Sequence, residues 1–249
     1  QFDYEPGANV PAPLLRGILG YLRRMAESVP DPGDGVVMSP LSRALGLLTS
    51  MSALVDEWSL PAAWPSGTVR AEAVLLEPGR GRGVLPQMGA HWGAGTRPNE
   101  AWLFAPFWAD PAAHQELSPL SAVLEQMGRN GTRESALLAA GEEIEAEKWR
   151  IHLAESYRTA EFPRVEISFR PIPITQEEQQ RSLHAKGIWW ARRNGREIQR
   201  ESLLVGSSNM TLPGLGVGPV HRNWEANICF VNQGERKAML WLDAARVAY

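Results

Sequence analysis

Cysteine is almost missing. Cys229 is the only one in 249 residues, so no disulfide can form within the chain and no cysteine-based zinc site can be built. Between Ile228 and Phe230 it reads as a buried strand residue. This usage fits a reducing compartment, and a cytoplasmic location is expected. Histidine is scarce, at five residues, and none has metal-ligand spacing. Neither a metal nor a cofactor is expected. No apolar run approaches the roughly 20 residues that a membrane span needs, and no signal peptide is visible. A net charge of −3 excludes a global polycation that would sheathe nucleic acid. Gly79-Arg80-Gly81-Arg82-Gly83 is glycine-rich, but no lysine–serine or lysine–threonine pair follows, so it is no P-loop and reads as a turn. Internal repeats and low-complexity tracts are absent.

What is present suffices for a core, since 44% of residues are hydrophobic. Leu14, Leu15, Ile18, Leu19 and Leu22 fall at helical spacing and predict a helix from Pro13 to Ser28. Ser39-Pro40 opens a second helix running to about Trp58. A linker is expected from Pro61 to Gly67, a strand over Ala71–Leu76, and loop over 78–100. Further strands are expected at Trp102–Ala105, Val165–Phe169 and Glu225–Val231, with an extended stretch over Pro171–Thr175. Helices fit 118–127, 134–159 and Arg236–Ala248. The order predicts an α/β domain with a mixed sheet layered against helices, preceded by a partial helical and strand segment.

Asn194-Gly195 is a strong hairpin signal, because a type I′ turn needs positive φ at both central residues. Ile188, Trp189 and Trp190 precede it; Ile198, Leu203, Leu204 and Val205 follow. A two-residue turn there pairs positions whose numbers sum to about 389, setting His184 opposite Val205. The start of one strand and the end of the other then share an edge. His184 and Lys186, two apart, point to one face. Beside them lies Gly206-Ser207-Ser208-Asn209, and Glu225 follows on the next strand. An imidazole attacks phosphorus or passes a proton. A lysine and an amide hold phosphate oxygens, and glycine lets backbone approach an anion. A carboxylate at Glu225 would fix the imidazole tautomer. Arg181, Lys186, Arg192, Arg193, Arg196 and Arg200 face only Glu197 in the same stretch, a local basic excess that suits a polyanion or a solvated tip. Of Trp189 and Trp190, one belongs in the core; Trp190 is the expected stacking partner for a base.

His184-Ala185-Lys186, Gly206-Ser207-Ser208-Asn209 and Glu225 together resemble the catalytic signature of the phospholipase D superfamily. Met210-Thr211-Leu212-Pro213-Gly214-Leu215-Gly216 is similar to the tail that follows in nuclease-like members. Leu103-Phe104-Ala105-Pro106-Phe107 resembles the segment that opens a superfamily half. The resemblance covers residues 100–249 and not 1–99. The family's aspartate would fall at Ala191 and is absent. Tyrosyl-DNA phosphodiesterases lack it too, which shifts the resemblance away from true phospholipases.

The resemblance implies a metal-independent phosphodiesterase working through a phosphohistidine, most simply a nuclease on DNA or RNA in a defence or repair setting. His184, Lys186, Asn209 and Glu225 would be catalytic. Lys186, Ser207, Ser208 and Asn209 would hold phosphate. Arg192, Arg193, Arg196 and Trp190 would hold nucleic acid. Alternatives are an inert nucleic-acid-binding or assembly module, and a phospholipid-hydrolysing phospholipase D. Superfamily chemistry uses two histidine–lysine copies, and this chain holds one: His91, His114, His152 and His221 lack a lysine two residues on. The other copy is expected upstream of Gln1 or on a second identical chain, the former being favoured. A start at Gln1 rather than methionine reads as a processed or truncated product. Residues 1–99, where Phe2-Asp3-Tyr4 precedes the first helix, would then be the tail of a preceding half or a helical linker, with His184 as the acid of the second half.

Overall fold

The computed structural model describes residues 12–30, 40–57, 71–76, 83–110, 118–128, 133–146, 148–159, 164–173, 186–217 and 225–232. The expected Phe2-Asp3-Tyr4 strand, the 61–67 linker, most of the Gly79–Gly83 turn and the Arg236–Ala248 helix lie outside these residues, as do His114, His184 and His221. The chain divides into two compact units, Gln1–Thr68 with Ala73–Leu75, and Val69–Glu72 with Leu76–Tyr249.

The first unit is built on α1 (Ala12–Glu27) and α2 (Pro40–Glu57). Both occupy the segments that their apolar spacing predicts. Ala12, Leu19, Leu48 and Val55 form the seam between them, with Leu15 packed against it. Arg16 Nε donates to Asp56 Oδ1 at 2.7 Å, but both side chains are well exposed, so the pair adds little. Leu47, Met51 and Leu54 stay exposed on α2. No helix among the described residues is long and apolar enough to cross a membrane.

The second unit is a mixed α/β sheet. The strands of the sheet are β1 (Ala71–Leu76), of which Ala71, Glu72 and Leu76 fall in this unit, β2 (Glu100–Phe104), β3 (Arg133–Glu145), β4 (Lys148–Ile151), β5 (Val165–Pro173), β6 (Gly187–Asn194), β7 (Glu197–Gly206) and β8 (Asn227–Asn232). The order is β1-β8-β7-β6-β2-β3-β4, with β5 also on β3. Strands β2 and β5 run parallel to β3, while β2–β6, β6–β7, β7–β8 and β3–β4 are antiparallel. Helices α3 (Val84–Trp92) and α4 (Pro119–Gln126) accompany the sheet, together with the single turns α5 (Ser156–Thr159) and α6 (Leu212–Leu215).

Three expectations fail here for identifiable reasons. Residues 134–159 are not a helix. They form β3, β4 and α5, and His152 follows β4 outside any helix. Alanine, leucine and glutamate favour a helix there, but propensity is a weak prior beside pairing on both edges of β3. The real signal is alternation: Ser135, Leu137, Ala139 and Gly141 are buried, every second residue. The expected loop over 78–100 contains α3, bracketed by Gly83 and Gly93. Its buried Val84, Leu85, Met88 and Trp92 have helical spacing that the flanking glycines disguise. The hairpin is present, but its register differs. Gly187 faces Val205, Ile188 faces Leu204, and a bulge lies beyond Arg192. Asn194 is still a strand residue paired with Glu197, so the turn is Gly195-Arg196. Of these two only Gly195 has positive φ, at 57°.

The hairpin sits at the centre of the core. Ile188 and Trp190 project to one face beside Leu103, Leu204 and Cys229, all 1% exposed or less. Trp190 meets the edge of Trp92 from α3, ring centroids 6.5 Å apart. On the other face Trp102, Trp189, Ala191 and Leu203 cluster with Phe104, Ile198, Val205 and Phe230. Glu100 and Glu201 are buried there, where they accept the indole N–H groups of Trp102 and Trp189.

Gly187 has no room for a side chain. A Cβ there would lie 2.4 Å from the Leu204 carbonyl oxygen and 2.4 Å from Phe104 Cζ. Gly187→Ala should therefore destabilise the protein by about 1–3 kcal/mol, the usual cost of overpacking. Urea denaturation checks this. An unchanged midpoint would show that β6 and β7 separate more easily than their packing implies.

Candidate functional site

Of the residues flagged in the sequence, Lys186, Ser207, Ser208, Asn209 and Glu225 lie at the end of the sheet where β6 begins and β7 stops. Lys186 is half-buried immediately before β6, and its carbonyl accepts from Gly206 N–H at 3.3 Å. Gly206 closes β7 against the entry to β8. A Cβ there would stand 2.4 Å from the Ala226 carbonyl oxygen and 2.4 Å from Asn227 Oδ1. That close approach requires glycine.

The two serines bind the chain to itself. Ser207 N–H donates to the Ala226 carbonyl at 3.1 Å, and Ala226 N–H donates to Ser207 Oγ at 2.9 Å. Ser208 and Asn227 are 2% and 1% exposed. Ser208 N–H donates to Asn227 Oδ1 at 3.3 Å, and Asn227 Nδ2 donates to Ser208 Oγ at 2.9 Å. Ser208 is thus enclosed and committed to β8, which corrects its expected contact with phosphate. Ser207 remains exposed but shares its hydroxyl with Ala226. Asn227, which no sequence motif singles out, holds the site together through Ser208 and the Leu76 carbonyl.

Asn209 is half-buried, and its Oδ1 is enclosed without a hydrogen-bond partner. Thr211 N–H donates to its carbonyl at 2.8 Å, and Thr211 Oγ1 caps α6 by accepting from Gly214 N–H. Glu225 is 7% exposed at the entry to β8, one residue before the Ser207–Ala226 bonds. Lys186, the 206–209 run and Glu225 are therefore neighbours through backbone bonding. His184 lies outside the described residues.

The stretch after β2 joins the same corner. Met210 N–H donates to the Phe107 carbonyl at 3.2 Å, and Ala109 N–H donates to the Met210 carbonyl at 2.9 Å. Tyr157 braces this stretch from α5: its hydroxyl donates to the Ala109 carbonyl at 2.7 Å, and its ring meets Trp108 edge-on. Burial, with the Asp110 charge adding, pushes the Tyr157 phenol up, so it stays a donor well above neutral pH. Phe107 is 58% exposed beside Asn209–Met210.

The expected nucleic-acid contacts divide. Trp190, at 1% exposure, has no face for a base; its ring packs on Trp92, because its position on β6 points it under α3. Trp189 is buried as well. Arg193 is held by Glu100, Nε to Oε2 at 2.6 Å. Arg196 is exposed at the hairpin tip, and Arg192 is half-buried on β6.

No family model matches this chain, and neither does any curated protein. Among solved structures it is similar to yeast tyrosyl-DNA phosphodiesterase, at 15% identity and a TM-score of 0.32, over 64% of this chain and 31% of that one. The H432N mutant of that enzyme gives 14% and 0.33, over 67% and 34%. Phosphatidylserine synthase from Haemophilus influenzae Rd KW20 gives 10% identity and a TM-score of 0.38, over 95% of this chain and 52% of that one. The chain thus spans about a third of the length of the first and about half of the second.

Asn227→Ala would remove both links to Ser208. The loss of a buried hydrogen-bonded amide should cost about 1–3 kcal/mol. Thermal or urea unfolding measures it. A cost near zero would mean that the backbone bonds of Ser207 alone hold the corner.

Proposed function

We propose that this chain carries one half of a metal-independent phosphodiesterase site of the phospholipase D type, acting on nucleic acid. The observation that supports this reading is the convergence at one sheet end. The Gly206–Lys186 bond and the Ser207–Ala226 bonds bring Lys186, Asn209 and the Glu225 strand entry together. In this reading Lys186 and Asn209 hold the phosphoryl oxygens and offset the charge that grows on them. His184 gives a proton to the leaving oxygen as its bond to phosphorus breaks, and Glu225 holds the imidazole in the required tautomer. The attacking histidine comes from a second half, upstream or on another copy of the chain, and forms the phosphohistidine. This half takes in the whole sheet unit, with β1 and α3, so its boundary lies upstream of the residue 100 that the sequence suggests. Arg192 and Arg196 favour a polyanionic substrate, and exposed Phe107 is the aromatic placed to meet a base in place of Trp190.

Single-turnover cleavage of a labelled oligonucleotide by the complete protein tests this. Cleavage should persist in EDTA, since the cations are the protein's own. His184→Ala should slow the chemical step by roughly 10²–10⁴, the usual contribution of a positioned acid or base, with binding little changed. Lys186→Ala should weaken binding and turnover together, because it removes a charge-assisted contact made before and during reaction. Equal cleavage by wild type and both variants would leave an inert binding or assembly module as the function of this corner.

A further inference from the structure

The hairpin carries a second cluster at the end away from Lys186. Arg192 on β6 lies in register with Arg200 on β7. Two guanidinium groups therefore leave one face of the sheet side by side. Like charges directly opposite each other in a sheet oppose folding. Arg200 has a local reason for its place. Its guanidinium carbon sits 5.1 Å from the Trp92 ring centroid, at the C-terminal end of α3 where a cation is favoured. Arg192 has no such reason. Among the described residues neither arginine has a carboxylate partner, and the Nε atoms of both are enclosed without a hydrogen bond. Their neighbour Arg193 does have a carboxylate, Glu100, held through Nε at 2.6 Å, although its Nη2 is also enclosed without a hydrogen bond.

The backbone beside Arg200 is open. Residues 93–96 are exposed, and Gly93 and Gly95 have positive φ, 80° and 120°. A Cβ on Gly95 would meet nothing within 4 Å, and one on Gly93 would lie 3.4 Å from Arg200 Nη2. A ligand held by Arg200 thus has glycine backbone for a wall. Two planar guanidinium forks side by side suit a phosphate group, which accepts from both.

We propose that Arg192 and Arg200, walled by residues 93–96, bind a phosphate of a nucleic-acid strand away from the bond that is cut. The polymeric source rests on the function proposed above; the anion site does not. Lys186 and Arg192 are six residues apart on one strand, about 20 Å at the rise of a β-strand. The site makes the protein prefer substrates long enough to occupy both ends of the hairpin.

The test uses the full chain as wild type, Arg192→Gln, Arg192→Lys and Lys186→Ala. Binding of a single-stranded 12-nucleotide DNA is followed by fluorescence anisotropy across salt concentrations, and pyrophosphate is added in thermal melts. Arg192→Gln should bind the DNA about tenfold more weakly, with the salt slope reduced by about 0.7, the value for one phosphate lost from a single strand. In anion-free buffer it should melt at or above wild type, because a repulsion has gone. Pyrophosphate should raise the Tm of wild type and leave that of Arg192→Gln unmoved. Arg192→Lys should keep the salt slope and lose most of the pyrophosphate effect. Wild-type affinity and slope in Arg192→Gln, or a lower Tm without anion, would overturn the site. So would weaker binding to phosphatidylserine vesicles with DNA binding intact, which would assign it to a lipid headgroup. No cleavage by wild type, with these binding results as expected, would remove the catalytic reading and leave the anion site standing.

Discussion

The candidate site depends on how tightly the end of β7 is bound to the start of β8. Gly206 lets the two chains approach more closely than any side chain would allow. Ser207 and Ser208 then use their backbone and hydroxyl groups on Ala226 and Asn227. Each of these bonds is worth only about 1 kcal/mol net, but leaving the enclosed groups unpaired would cost more. The geometry is therefore over-determined. Asn209 leaves this clamp in a fixed place, and Glu225 enters it one residue before the first bond. A glycine–serine–serine run reads in the sequence as a phosphate cradle. In the structure it works mainly as a fastener that sets the residues on either side.

The rest of the sheet supports that corner. Trp190 under α3 and Trp189 against Trp102 pin both faces of β6, so Lys186 arrives where the strand begins. Buried side chains of this size contribute about 1.5–3 kcal/mol each. Glu100 and Glu201 are carboxylates in the same layer, kept in place by indole N–H groups and, for Glu100, by Arg193. Residues 105–110 complete the corner by bonding along Met210. The hairpin thus connects two chemically distinct ends: a lysine–asparagine–glutamate corner at one, and opposed arginines at the other.

Much of this was legible in the sequence, and the failures have physical causes. The first two helices, β1, β2, α4 and β5 followed from apolar spacing. The hairpin followed from Asn194-Gly195, but a bulge beyond Arg192 moved the turn to Gly195-Arg196 and shifted the register. The joining of Lys186 to Gly206 survived that shift, because it needs only that one strand starts where the other stops. Strand β3 was misread because alanine and glutamate report backbone preference, while its place between β2 and β5 is a tertiary fact. Helix α3 was hidden by the glycines at its ends. Trp190 was assigned to ligand because a sequence does not say which face of a strand a helix will cover. Asn227 went unnoticed because its partners are 19 residues away, at Ser208, and 151 away, at the Leu76 carbonyl.

The most direct test of the central claim is a crystal structure of the complete protein with vanadate and a short oligonucleotide. Vanadate takes the five-coordinate geometry of a phosphoryl group in transfer. The account predicts vanadium at the start of β6, with Lys186 Nζ and the Asn209 amide about 3 Å from its oxygens, His184 in line with the leaving oxygen, and Glu225 on the far side of the imidazole. Vanadate bound elsewhere, or Lys186 and Asn209 turned away from it, would contradict the account.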